Sequence, residues 1–293
     1  MTIPEAHKII EDYYRKPSHT EREDFILTEA YGYLIEEEHN PEDMMSLGGH
    51  YYEHGYFDLA LKYYELAATY DYENAYECLG YVWYYGRTGE RDFKKAYEYF
   101  SKAMEKGSPI ATYKIADMYK NGYYVEKDEA RYEQIIEDLY IKSKDMHPVF
   151  SCVIDVYTRL ARIRKGQGRT EEAISLFMDA KCFLAEKLTY NKFFGDLNVM
   201  KWLIDDLYDL TDFDESSFDF YDLYYLLKSP HKITFRYKSK THSLESVMEG
   251  GETVICFDGR WFTGMDDFFM KACIGDKPLT YIYDQLYDFE VTL

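Results

Sequence analysis

The sequence is poor in the features that usually announce a catalyst, a membrane protein or a secreted domain. It has no G-x-x-x-x-G-K-[ST] phosphate loop and no G-x-S-x-G nucleophile elbow. No apolar run approaches the length of a membrane span. The first residues, MTIPEAHKIIEDYYRK, carry charge where a signal peptide needs an apolar stretch, so a cytoplasmic chain is expected. Cysteine is scarce, 5 of 293 residues. Cys78, Cys152, Cys182, Cys256 and Cys273 show no C-x-x-C spacing, which argues against a disulfide framework or a zinc knuckle. Positive charge is also short. There are 34 Lys and Arg against 54 Asp and Glu, a net charge of −20, which repels phosphates and makes a nucleic-acid partner a poor expectation.

Tyrosine, by contrast, is abundant, 33 residues, and its apolar ring with a polar tip suits both helix packing and interaction surfaces. The first half also repeats itself. Ala75, Leu79, Gly80, Gly86 and Asp92 recur as Ala111, Ile115, Ala116, Gly122 and Asp128, every pair 36 positions apart (111 − 75). Each match has a physical use. Gly80 and Ala116 let two helices approach closely, and Trp83 and Tyr119 fill the space one turn on. Gly86 and Gly122 end a first helix in the left-handed conformation, and Asp92 caps the second helix, whose packing face carries Ala96 and Ala103.

This pattern resembles the Sel-one-like repeat, the variant of the tetratricopeptide repeat with a longer inter-helix loop. Upstream, Leu47, Gly48, Tyr51, Gly55, Ala60, Tyr64 and Ala67 have the tetratricopeptide spacing, as do Leu160, Ala161, Gly168, Ala173, Phe177 and Ala180 downstream. The resemblance runs over roughly residues 41–182. It weakens after Asp128, where Tyr132, Leu139 and Ser143 replace Ala96, Ala103 and Gly107. It implies a mainly α fold, a helical-hairpin repeat superhelix. It further implies a concave face built from the first helix of each repeat, carrying Met45, Gly49, Tyr52, Tyr81, Tyr84, Tyr113, Asp117 and Lys120. A protein or peptide partner, possibly basic, is expected there, with Met45, Tyr52, Tyr81, Tyr84, Tyr113, Asp117 and Lys120 as the contact residues.

Four segments follow from this reading. Residues 1–40 form an N-terminal helical cap and residues 41–143 the repeats. Residues 144–228 hold a further repeat-like unit and acidic helices, and residues 229–293 a small α+β domain. In that last segment KITFRYKSK alternates apolar and basic residues as a strand, whose lysines suit a protected sheet edge. VICFDGRWF reads as a hairpin turning at Asp258-Gly259. MDDFFMKACIGDKPL reads as a short helix stopped by Gly275, and LTYIYDQLYDFEVTL as a helix and a terminal strand. Between Asp205 and Asp222 stand eight acids without a Lys or Arg, a docking patch for something basic if they remain solvated.

His50-Tyr51-Tyr52-Glu53-His54 matches H-x-x-E-H, a zinc-peptidase pattern. The internal repeat offers a plainer account. His50 aligns with Val82, Met118 and Ile163, a packing slot, and His54 with Gly86, Gly122 and Gln167, a helix end. No metal, cofactor or catalytic residue is therefore expected, and an interaction scaffold rather than an enzyme. Two other functions fit the composition. One is an acidic immunity-type inhibitor of a basic toxin or nucleic-acid-acting enzyme. The other is an enzyme with a site in the C-terminal domain, drawing on His231, Arg236, Asp258 and Arg260.

Overall fold

Short polar residues stand before several of the helices and satisfy their first free backbone N–H groups. A computed structural model describes residues 1–16, 19–149, 151–190 and 194–292. Thr2 and Thr20 start α1 (Ile3–Tyr14) and α2 (Glu21–Glu38) with capping boxes closed by Glu5 and Glu23. Asn40 followed by Pro41 starts α3 (Pro41–Glu53), which is followed by α4 (Phe57–Ala68). Next come α5 (Glu73–Tyr85) and α6 (Phe93–Glu105), the latter capped by Asp92, whose carboxylate accepts from Lys95 N at 2.9 Å. Ser108 and Pro109 open α7 (Pro109–Asn121), and α8 (Glu129–Ser143) follows.

The chain gathers into two compact units, Met1–Ile135 and Ile136–Leu293, and the segment boundaries at 40, 143 and 228 fall inside them. In the first unit the helices pair as hairpins, as the repeat requires. Gly48 and Gly80 are the contact points. A Cβ on Gly80 would stand 2.5 Å from the Phe100 ring, and one on Gly48 2.6 Å from Tyr64. Only hydrogen allows those rings to lie flat on the neighbouring helix. Gly86 and Gly122 cap α5 and α7 at φ of +64° and +69°, the left-handed conformation read from the sequence. Tyr13, Leu27, Tyr31 and Ile35 from the first two helices share one core with Met44, Leu47, Ala67 and Ala75, so the N-terminal hairpin packs as an extension of the repeats.

In the second unit α9 (Val153–Gly166) and α10 (Thr170–Tyr190) form a further hairpin, followed by α11 (Phe194–Tyr208) and the short α12 (Leu223–Leu226). A five-stranded antiparallel sheet follows, ordered β4-β3-β2-β1-β7. Its strands are β1 (Lys232–Tyr237), β2 (Lys240–Glu249), β3 (Glu252–Phe257), β4 (Arg260–Thr263) and β7 (Tyr287–Thr292). β5 (Cys273–Ile274) and β6 (Lys277–Pro278) make a separate small hairpin. Among the described residues the sheet shares its core with the helices before it. Ile233, Phe235, Leu244, Ile255 and Phe257 are buried with Leu184, Met200, Phe220 and Tyr224 of the preceding helical segments.

Three local expectations change. β1 is an interior strand between β2 and β7, so its basic residues protect no edge. They pair with acids on the flanking strands, Lys232 with Glu245 and Arg236 with Asp288, both at 3.5 Å. The helix of MDDFFMK, α13 (Gly264–Lys271), stops before Gly275, which instead turns the β5–β6 hairpin at φ +64°. LTYIYDQ forms two single turns of 3-10 helix rather than an α-helix, and Pro278 directly precedes the first. Among the described residues no helix is long and apolar enough to cross a membrane.

Candidate functional site

The first helices of the repeats bring four tyrosines around one lysine that the sequence reading did not single out. Lys114, on α7, is 6% exposed. Its ammonium lies 4.9 Å from the Tyr81 ring centroid, 5.2 Å from Tyr84, 5.2 Å from Tyr85 and 5.6 Å from Tyr113. It donates to Tyr85 Oη at 3.0 Å. Ring faces carry negative charge, so this cage replaces the water that the ammonium gives up. Tyr81 and Tyr113 hydroxyls meet at 3.2 Å and close one side.

Beside the cage stands a second cation on rings. Arg87, in the loop after α5, lies 5.2 Å from the Tyr85 ring, 5.6 Å from Tyr52 and 5.6 Å from Phe57, and its Nε donates to Tyr52 Oη at 2.8 Å. Tyr85 therefore serves both cations. The result is a continuous strip of alternating rings and cations across three successive repeats, from Phe57 and Tyr52 through Arg87 and Tyr85 to Lys114, Tyr81 and Tyr113.

The expected contact residues divide on this map. Tyr81, Tyr84 and Tyr113 do come together, but around the chain's own Lys114, and Tyr113 is only 4% exposed. Its ring is a wall of the cage and is not presented to a partner. Met45 is half-buried against two cores of the repeat. Tyr52 is half-buried under Arg87, Asp117 is half-buried, and Lys120 is exposed, 5.0 Å from the Tyr132 ring. The exposed members of the strip, Tyr85 and Arg87, were missed. Their signal was a lysine at a position of α7 where an amphipathic helix would be apolar, together with an arginine in the inter-helix loop.

Five of the eight acids in the acidic run pair with cations of their own unit. Asp206 pairs with Arg162 at 2.7 Å, Asp209 with Lys165 at 2.6 Å and Asp205 with Lys228 at 2.6 Å. Lys181, itself 5% exposed, pairs with Asp219 at 2.8 Å and Asp222 at 2.7 Å. Burial alone would push the Lys181 pKa down, but the two carboxylates hold it above the ordinary lysine value. These five acids are occupied, which leaves the exposed Asp212, Asp214 and Glu215 as the part of the run outside those pairs.

The four polar residues of the C-terminal region do not converge. Asp258 accepts from His242 at 2.5 Å, His231 bonds to Ser229 and Ser246, Arg236 pairs with Asp288, and Arg260 lies over the Phe262 ring. His50 is buried in its packing slot, 9% exposed, and His54 ends α3 with its ring Nδ1 on the His50 carbonyl at 2.8 Å, as the repeat alignment predicts.

No protein-family model matches the chain, and no curated protein matches it. Among solved structures it is similar to a Sel1 repeat protein from Oxalobacter formigenes. That match has 20% identity and a TM-score of 0.47, and covers 61% of this chain and 67% of that one. It is also similar to c5321, a protective antigen of uropathogenic Escherichia coli with an SLR fold, at 20% identity and a TM-score of 0.43, spanning 63% of this chain but 41% of that one. A third likeness is to PilW, a type IV pilus biogenesis factor, at 14% identity and a TM-score of 0.44, over 70% and 86% of the two chains.

Proposed function

We propose that the chain is a protein-interaction scaffold whose docking surface is the cation-and-tyrosine strip of the first unit. The observation that carries this reading is the strip's exposed middle. Tyr85 is 39% exposed and Arg87 is exposed, while the residues around them are fixed by packing. Tyr and Arg on a pre-ordered frame lose little conformational freedom on binding, which is why such residues dominate interface energetics. The partner is a protein or peptide that offers a carboxylate to Arg87 and an apolar side chain to Tyr85. The net charge of −20 adds a long-range pull on basic partners. We assign no reaction to the chain. A cytoplasmic setting fits its five cysteines, all of them unpaired.

The test is affinity capture from the native cell with wild type and with Tyr85→Ser/Arg87→Ser. Arg87 is exposed, whereas Tyr85 also accepts the Lys114 hydrogen bond, so Arg87→Ser alone is the variant that leaves the cage intact, and circular dichroism with the thermal midpoint checks the fold of the double variant. Partners enriched by wild type and depleted at least ~10-fold by the double variant are the expected result. Equal recovery with both proteins would remove this face as the docking surface.

A further inference from the structure

We propose that Asp24, His50 and His54 form a binding site for a borderline divalent transition-metal cation of the Zn2+ type, joining the first turn of α2 to the end of α3. One ligand atom from each residue lies within 4.8 Å of the other two. They open into a cavity of about 450 Å³ that Tyr13, His19 and Glu53 also line. Tetrahedral zinc with bonds near 2.1 Å holds its ligand atoms roughly 3.4 Å apart, so closing the set takes side-chain movement on the order of 1 Å. His54 is exposed and free to make that movement.

The surroundings are those of a ligand set. The His50 carbonyl can only accept, so His54 Nδ1 carries the proton and donates to it at 2.8 Å. That leaves the His54 Nε2 lone pair for a metal, oriented in the way metal-bound imidazoles usually are. Tyr13 Oη donates to Asp24 Oδ1 at 2.5 Å, which fixes the carboxylate and leaves Oδ2 available. His50 is 9% exposed, and its ring centroid lies 4.3 Å from that of His54. His19 stacks on Tyr13 at 3.5 Å with its Nδ1 buried and unpartnered, beside the triplet but outside it.

Two imidazoles and one carboxylate select the metal class. Ca2+ and Mg2+ prefer oxygen sets, whereas Zn2+ and its neighbours accept nitrogen readily. Three protein ligands on an open cavity leave a fourth position to solvent. The H-x-x-E-H pattern thus supplies both histidines. The third ligand comes from Asp24 on another helix, and the exposed Glu53 stays outside the set.

Calorimetric titration of the chelator-treated full chain with Zn2+ tests this, with Co2+ visible absorption reporting the ligand geometry. One equivalent is expected to bind at micromolar concentration or below, to raise the thermal midpoint, and to resist competition by excess Mg2+ or Ca2+. His54→Ala and Asp24→Asn should each weaken binding at least ~10-fold while leaving helical circular dichroism intact. Both replace residues outside the packed core, so the test does not depend on His50→Val folding. Binding that is absent below about 1 mM, or unaltered by both variants, would overturn the proposal.

Discussion

Gly80 shows how much of this molecule hangs on single atoms. Its missing Cβ is what lets the Phe100 ring lie on α5, and a methyl there would meet two ring carbons at 2.5 Å. Phe100 is fully buried and has nowhere to retreat. Gly80→Ala should therefore cost about 1–3 kcal/mol through overpacking, although alanine is the better helix former. Gly32→Ala is the matched control. Gly32 is also within a helix, but nothing lies within 4 Å of the added Cβ, so propensity alone acts and stability should rise by up to ~1 kcal/mol. Urea unfolding of the two variants gives opposite signs if close helix approach is the reason for the glycine, and the same sign if it is not. Lys114 makes the complementary point. A residue whose charge belongs in water sits 6% exposed because four tyrosines surround it, which accounts for part of the chain's tyrosine richness.

Between elements, the strongest ties are charges that pack. Lys181 on α10 holds the Asp219–Asp222 turn that leads into α12, and both Lys181 and Asp222 are almost fully buried. Lys181→Met leaves the buried Asp222 carboxylate without its cation and should destabilise by about 3–5 kcal/mol in chemical denaturation. Adding Asp222→Asn should recover part of that loss, since the isolated charge and not the missing contact is the larger cost. Glu77 on α5 gives a pH signature. Burial raises its pKa despite the hydrogen bond from Ser108 at 2.7 Å, with Glu73 adding to the rise and Lys114 opposing it. A carboxyl whose folded pKa exceeds its unfolded one contributes stability below the unfolded value, and that contribution is lost as pH rises through the folded pKa. Glu77→Gln should thus raise the thermal midpoint at pH 7.5, leave it nearly unchanged at pH 4, and flatten the slope between.

These pairings also mark the limit of what the sequence discloses. The helical hairpins were legible because close packing repeats every 36 residues in Ala75, Gly80, Gly86 and Asp92 and their copies. The β3–β4 hairpin was legible from Asp258-Gly259, whose φ values of +48° and +84° are those of the expected turn. β2 was not, because THSLESVME mixes charge into a strand flanked on both sides. Nor was Asp24, 26 positions before His50 and in a helix outside the repeat alignment. A local pattern names two ligands, and only packing brings the third.

Taken as a whole the chain is an acidic body, and its stability should report that. The excess of 20 acids over bases repels itself most at low ionic strength, where the screening length is about 30 Å at 0.01 M against about 8 Å at 0.15 M. Two effects of salt oppose each other. Exposed pairs such as Lys106–Asp71 and Lys127–Glu129 weaken, and being fully solvated they contribute little to begin with. The buried Lys181 cluster is hardly screened. Repulsion among the surplus acids falls with every increment of salt, so it should dominate. The thermal midpoint at pH 7.5 is expected to rise by several degrees between 0.01 M and 0.15 M KCl, with a chelator present to exclude metal effects. The same titration near pH 5, close to the sequence isoelectric point of about 4.8, should show almost no salt effect, because there the net charge is small. A midpoint that falls with salt at pH 7.5 would mean that the exposed ion pairs outweigh the net charge. The long-range pull on basic partners would then be weaker than the composition implies, and partner choice would rest on the short-range contacts of Tyr85 and Arg87.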